Sequence, residues 1–365
     1  MTQPVIKFTR GVPPPESFPT QEISDCAVSL LQRDSDIVLQ YGTSGGYQPL
    51  RQYLAEQAGV PLNRVAIGEG SLQLCDIAAR ILLEPGSLVY TESPSYDRSI
   101  NILRRTGARV VGIPLEDDGI DITAISSRLA GGERPVLFYI IPDFQNPSGT
   151  VLSLEKRQAL VDLADKFGFW IIEDSPYRRL RYCGVENPTL FDLAPNRVVR
   201  MSSFSKLIGP GLRVGYLVLP ESFAPGFLKF AEDTYINSSY FTQGIVYEYI
   251  RRGLLEPNIA KLKSLYQPRL DCILTSLSHE MGDLAEWHKP EGGFFVGMTL
   301  HGEFDTDELL ARASHAGLIL SDGRGFFPEK NRQCFIRLPF CALTTDEIQS
   351  GISRLAQVIH SMLDK

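Results

Sequence analysis

Between residues 65 and 219 this chain alternates short apolar runs with segments of helical spacing, which restricts its fold more than any other feature. The apolar runs lie at 65–67, 87–91, 109–114, 135–141, 169–172, 197–201 and 216–219, each of strand length. Runs such as 135–141 are apolar on consecutive residues rather than alternate ones, as in strands buried on both faces. Between them, 72–83, 96–105, 121–129 and 154–167 repeat apolar residues at helical intervals. This order predicts an α/β fold, a mostly parallel sheet covered by helices on both faces.

The flanking segments read differently. An extended piece at the start leads into a proline-rich arm (Gly11, Pro13, Pro14, Pro15, Pro19), where prolines forbid helix continuation. A helix is expected over 21–33, then a glycine-rich loop over 41–49 that opens a second helix with Leu50, Tyr53, Leu54 and Ala58 on one face. After residue 228 the spacing is mainly helical through 278, with short strands expected at 294–300, 318–320 and 334–338 and a last helix over 345–362. We therefore expect a large domain over 36–250, with a smaller α+β domain made from 251–365 and joined by the arm and first helix, 1–35.

Composition excludes several function classes. The 36 Lys and Arg against 43 Asp and Glu give a formal net charge of −7, which argues against a nucleic-acid footprint. The six cysteines are scattered without a C-x-x-C pair, and the five histidines show no ligand spacing, so no metal site is expected. The start of the chain lacks a basic-then-apolar leader, no run is long enough to span a bilayer, and a reduced, cytoplasmic setting is expected.

One stretch carries chemistry. Residues 201–215 read Met-Ser-Ser-Phe-Ser-Lys-Leu-Ile-Gly-Pro-Gly-Leu-Arg-Val-Gly. Lys206 stands among small and apolar residues, with hydroxyls at Ser202, Ser203 and Ser205 and a guanidinium at Arg213. Burial disfavours an ammonium, and a neutral amine can form a Schiff base with an aldehyde. Hydroxyls and an arginine suit a phosphate. Aldehyde and phosphate together describe pyridoxal 5′-phosphate. Alone, the stretch reads more readily as a solvated surface lysine.

Other motifs follow strand ends. Ile67-Gly68-Glu69-Gly70-Ser71-Leu72-Gln73 opens a helix after a strand, so its free N–H groups can hold an anion. It is no dinucleotide fingerprint, because Gln73 stands where a third glycine belongs; an ordinary capped helix start is the alternative. Glu92-Ser93-Pro94-Ser95-Tyr96 places an aromatic at a strand end, and Ile141-Pro142-Asp143-Phe144-Gln145-Asn146-Pro147-Ser148-Gly149 is rich in turn residues. Ile171-Ile172-Glu173-Asp174-Ser175-Pro176-Tyr177 puts Asp174 at the end of a buried strand, a costly place for an unpaired carboxylate. Cys334-Phe335-Ile336-Arg337-Leu338 puts an arginine inside an apolar strand, where it needs an anion, from the protein or from a ligand.

In this order the motifs resemble those of the pyridoxal-phosphate-dependent aminotransferases of fold type I, class I/II, over residues 6–359. The chain is most similar to the branch that holds 2-aminoadipate and kynurenine aminotransferases and the aminotransferase-like domains of MocR-type regulators. The resemblance implies a Schiff-base lysine at Lys206, with Ser71, the amide of Leu72, Ser203 and Arg213 on the phosphate. It implies Tyr96 against the pyridine ring, Asp174 on the ring nitrogen, and Asn146 and Tyr177 on the 3′-oxygen. It also implies that Arg337 binds the substrate α-carboxylate, with Asn146 and Gly11 nearby. Tyr41 would reach the phosphate of a neighbouring subunit, which implies a homodimer.

There are departures. Leu72 stands where the family usually has Gln, and Arg10 is unusual in the arm and is expected at the surface or opposite an acidic substrate group. Phe18, Tyr235 and Tyr240 are further specificity candidates. The expected reaction is ping-pong transfer of an amino group between an amino acid and a 2-oxo acid, with Lys206 as general base. The same fold hosts lyases, decarboxylases and oxidases, and MocR-type domains bind effectors. A regulator's winged helix has no room ahead of the arm, so an enzyme is expected.

Overall fold

A computed structural model describes residues 4–9, 11–331 and 333–363. The strands, in chain order, are β1 (Ile6–Phe8), β2 (Val65–Glu69), β3 (Leu88–Ser93), β4 (Arg109–Glu116), β5 (Gly119–Ile120), β6 (Leu137–Ile140) and β7 (Trp170–Asp174). There follow β8 (Val198–Ser203), β9 (Val214–Val218), β10 (Ala285–Trp287), β11 (Phe295–Leu300), β12 (Leu318–Leu320) and β13 (Phe335–Pro339).

Among the described residues, eight strands form one sheet in the order β2-β9-β8-β7-β6-β3-β4-β5. The pairings β8 with β7, β7 with β6, β6 with β3 and β3 with β4 are parallel. Strand β9 runs against both of its neighbours, and β5 closes a short hairpin on β4. The sheet is therefore mixed, with a parallel centre. The reversal of β9 has a local cause. Only a turn of about ten residues separates it from β8, and a parallel return needs a longer crossover.

Strand parity divides the core. Leu137, Tyr139, Ile172, Val199, Met201 and Leu217 face one layer of helices with Leu74, Ala78 and Phe227. Phe138, Ile140, Ile171, Val198 and Val218 face the other, with Ile125, Leu160 and Ala164. The helix Leu154–Phe167 begins where Ser153 Oγ accepts from Lys156 N and ends at Gly168 with φ 79, a left-handed closure that glycine adopts freely. Its bounds are those the spacing predicts. The helix expected over 21–33 instead spans Thr20–Val38, across a break at Asp34 (φ −131, ψ 27). The hairpin strand β5, the strand β10 and the four-residue helix Leu190–Leu193 are not predicted by the spacing, because each is too short to show a period.

The C-terminal part holds a second, antiparallel sheet, β10-β11-β13, with Gly297 opposite Arg337. Strand β1 pairs in parallel with β12, so the start of the chain is hydrogen-bonded to its last third. Among the described residues no helix is long and apolar enough to cross a membrane.

Arg157 anchors the loop after β6. Its side chain is fully buried and donates to the carbonyls of Leu152 (2.9 Å), Pro142 (2.9 Å) and Pro188 (3.0 Å) and to Asp143 Oδ1 (2.8 Å). Asp143 Oδ2 accepts from Arg178 at 3.0 Å. Replacing Arg157 with methionine strands these acceptors, and we expect a loss of about 3–5 kcal/mol. Urea unfolding of the variant checks this; an unchanged midpoint would refute the anchoring role.

Candidate active site

The parallel strands all end at one edge of the sheet, and the functional side chains lie in the turns there. Strand β2 delivers the turn Gly70-Ser71, β3 leads to Tyr96, β6 to Asn146, β7 ends on Asp174, and β8 ends on Ser203 just before Lys206. Because β9 is reversed it starts at this same edge, which brings Arg213 alongside. These residues enclose a cavity of about 300 Å³ lined by Ser71, Leu72, Tyr96, Asn146, Asp174, Tyr177, Ser203, Lys206 and Arg213, together with Arg98, Ile141, Pro176, Ser205 and Pro210.

One end of the cavity is made of backbone. The helix Ser71–Leu82 starts after Gly70 (φ 86) with no side-chain cap, so N–H groups of its first turn are free for an anion. A Cβ at Gly215 would lie 2.2 Å from Ser71 N; only glycine lets β9 pass so close under this turn. Arg213 lies beside it, its Nη2 donating to Glu69 O at 2.8 Å. The hydroxyl of Ser203 accepts from Ser205 N (3.1 Å) and lies within bonding distance of Ser205 Oγ (2.9 Å) and Val214 O (3.2 Å). Ser205, one of the hydroxyls the sequence offers beside Lys206, also lines the cavity, whereas of these the resemblance assigns a role only to Ser203.

The other end holds charges taken out of water. Asp174 is 5% exposed, and burial pushes its carboxyl up to about 7, against the lowering effects of Tyr139 and Lys206. Tyr139 donates to Oδ2 at 2.6 Å, while Oδ1 is buried without a partner. Lys206 donates from Nζ to the carbonyl of Gly11 at 3.1 Å, and its amine sits 6.0 Å from the centre of the Tyr177 ring and 5.7 Å from that of Phe294. Burial lowers its pKa, favouring the neutral amine. Tyr177, 5% exposed, packs edge-on to Phe295. Burial raises the phenol pKa of both Tyr96 and Tyr177.

Arg337 stands beside the cavity. Nη1 donates to Asn146 Oδ1 at 3.0 Å and Nη2 to the carbonyl of Thr9 at 2.7 Å, while Nε is buried and unpartnered. The guanidinium lies 4.9 Å from the ring centre of Phe295 and 4.6 Å from that of Phe326. Among the described residues no carboxylate pairs with it, and burial lowers its pKa. Neither phenylalanine stands out in the sequence, since aromatic positions in apolar segments read as core.

Other expectations fall elsewhere. Tyr41 is 77% exposed and does not line this chain's cavity. Tyr240 is tied to the 43–46 loop, accepting from Thr43 N at 2.7 Å and donating to Gly46 O at 3.1 Å. It is a loop support. Arg10 lies outside the described residues. A Cβ at Gly11 would stand 2.2 Å from the Phe295 ring, so the arm packs here only because this residue has no side chain. Among the described residues no cluster could hold a metal ion.

The whole chain has known relatives. Residues 4–355 match the family model for aminotransferase class I and II. The chain is 32% identical to aromatic-amino-acid aminotransferase 1 of Thermococcus litoralis, over 100% of this chain and 90% of that protein. It superposes on the Pyrococcus horikoshii kynurenine aminotransferase, solved in complex with PMP, KYN as substrates and KYA as products. That match has a TM-score of 0.95 at 31% identity, covering 99% and 92% of the two chains. It is also similar to the alpha-aminoadipate aminotransferase of Thermus thermophilus complexed with N-(5′-phosphopyridoxyl)-L-leucine. There the TM-score is 0.93 at 30% identity, with 99% and 93% covered.

Asp174 provides a test in the cofactor-free protein. Its pKa is raised on folding from 3.8 to about 7, so the folded state binds this proton more tightly than the unfolded one. The stability it brings is complete below about pH 4 and is lost as pH rises towards 7. The Asp174→Asn variant should therefore gain on the native chain by up to about 4 kcal/mol at pH 8 and not at pH 4. Denaturant midpoints at the two pH values check this, and equal differences at both would count against it.

Proposed function

The chain belongs to the class I and II aminotransferases, and from that premise we propose that it moves an amino group between an amino acid and a 2-oxo acid in two half-reactions at the Lys206 cavity. Aminotransferases of this family use pyridoxal 5′-phosphate, which supplies an aldehyde for amines and a ring that draws electrons from the substrate α-carbon.

The residues fit that group. The unpartnered Asp174 Oδ1 carries the reading, because a buried carboxylate oxygen without a donor is costly and a protonated ring nitrogen is the donor it lacks. The free N–H groups at Ser71 and Leu72, with Ser203, Ser205 and Arg213, suit the phosphate. Tyr96 offers a flat face to the ring, and Asn146 and Tyr177 offer donors to its 3′-oxygen. Leu72 brings no side-chain donor to the phosphate end, so the backbone amides there carry more of the anion's hydrogen bonding.

In the proposed mechanism Arg337 takes the substrate α-carboxylate in its fork, giving up the carbonyl of Thr9 as it does so. The flanking rings of Phe295 and Phe326 keep its plane fixed. Lys206, whose ammonium form desolvation disfavours, accepts the α-proton on Nζ and hands it on within the cavity. Its present partner, the carbonyl of Gly11, cannot neutralise a charge, which keeps the amine basic without pairing it. Asp174, its Oδ2 held by the bond from Tyr139, would keep a proton at the ring nitrogen.

The assembly we propose is a homodimer in which Tyr41 of each subunit reaches the other's phosphate end. In support, Val28, Leu31, Ile37, Leu39 and Tyr41 are all exposed apolar residues along one helix and the turn after it. Residues 36–250 would form the cofactor-binding domain, and 1–35 with 251–365 the smaller domain that closes on it. Six unpaired cysteines, of which Cys26, Cys75, Cys334 and Cys341 are buried, suit a reducing cytoplasmic setting.

The first test is the absorption spectrum of the purified protein on adding amino acids without an acceptor. The visible band should bleach, with one oxo acid released per site. Continued ammonia or carbon dioxide release would mean another reaction, and no band after cofactor addition would remove the reading. Lys206→Ala should cut turnover by about 10²–10⁴ or more while the cofactor still binds non-covalently. Arg337→Gln should lower kcat/KM by roughly 100-fold through the lost charge-assisted bonds. Steady-state kinetics on both variants decide these points.

A further inference from the structure

Strands β6 and β7 are paired with Tyr139 opposite Ile172. Asp174, two residues beyond Ile172, therefore projects from the same face of the sheet as Tyr139. Tyr139 is fully buried, and its hydroxyl meets Asp174 Oδ2 at 2.6 Å, the length of a bond to an ionised oxygen. No other described group bonds either oxygen, and Oδ1 is orphaned on the other side.

We infer that Tyr139 is a positioning residue for the reaction: by occupying Oδ2 it fixes the rotation of the Asp174 carboxylate and leaves Oδ1 alone to meet the cofactor's ring nitrogen. The inference rests on the assignment of Asp174 to that nitrogen. The terminal torsion of an aspartate is soft, so a carboxylate with two free oxygens would turn and present either. The hydroxyl also favours the ionised form, against the burial that opposes it. Asp174 faces Lys206, which favours its ionised form, but also Glu173 behind it, which opposes it. Buried Glu92, which takes Ile141 N (3.0 Å) and Gln145 Nε2 (3.2 Å), adds to neither side while it is protonated, and burial pushes it up to about 8. The Cys75 thiol lies on the same side and is pushed well above its usual range by burial. Among the described residues Tyr139 is the one hydrogen-bond donor to Asp174.

The test uses the holoenzyme reconstituted with cofactor labelled with nitrogen-15 in the ring, comparing the native chain with Tyr139→Phe. The native ring nitrogen should resonate as a pyridinium. In the variant the resonance should move towards that of an unprotonated pyridine, and α-proton removal in the half-reaction should slow by about 10- to 100-fold with KM nearly unchanged. Placing 3-fluorotyrosine and 3,5-difluorotyrosine at position 139 keeps the ring and grades the acidity of the hydroxyl, so the resonance should follow that order even if the phenylalanine variant fails to fold. A resonance that ignores both changes overturns the role of Tyr139 alone. An unprotonated nitrogen in the native holoenzyme overturns the assignment of Asp174 and this inference with it.

Discussion

Three charge-bearing groups, the buried Asp174 and Arg337 and the part-buried Lys206, stand around one cavity with no opposite charge within salt-bridge distance among the described residues. Desolvation pushes each towards neutrality, the acid upwards and the bases downwards. Such a set costs stability unless a ligand completes it. The fold meets that cost with neutral partners: the Tyr139 hydroxyl on Asp174, the Gly11 carbonyl on Lys206, and the Thr9 carbonyl and Asn146 amide oxygen on Arg337. Neutral partners satisfy hydrogen bonds without cancelling charge, so in the proposed reading the groups remain available to an aldehyde, a pyridinium and a carboxylate.

The surrounding structure is arranged to hold that set. The parallel strands bring the ends of β2, β3, β6, β7 and β8 to one edge, and the reversal of β9 returns the chain to it. Gly215 lets β9 run under the start of the Ser71–Leu82 helix, where any side chain would collide with Ser71 N. Arg157 and Asp143, both fully buried, tie down the loop that carries Asn146. Among the described residues the N-terminal arm reaches Lys206 and Arg337 by hydrogen bonds to the carbonyls of Gly11 and Thr9, and β1 is in turn pinned to β12.

Much of this was legible beforehand because the relevant signals are local. The helix Leu154–Phe167 was readable to the residue from its spacing, with Ser153 before it and Gly168 after it. Lys206, Asp174, Asn146, Tyr177 and Arg213 stand in short motifs at the ends of apolar runs, and the structure places all of them on one cavity. Tyr139, Phe295 and Phe326 were not legible. Each is an aromatic in an apolar segment, and from sequence such a residue cannot be told from core packing. The short strands β5 and β10 show no period to read. The reversal of β9 depended on a turn length whose consequence for the sheet emerges only on closure.

The sequence by itself determined the α/β class, the kind of chemistry and the candidate residues for it, because strand and helix periods and reactive side chains are properties of neighbours along the chain. Only the tertiary structure decided which oxygen of Asp174 is free, what Lys206 and Arg337 rest against, and that Ser205 joins the cavity while Tyr240 supports a loop. Those outcomes depend on contacts between residues such as Tyr139 and Asp174, or Thr9 and Arg337, that are far apart in sequence. Burial, which sets their charge states, is a property of the whole packed fold rather than of any segment.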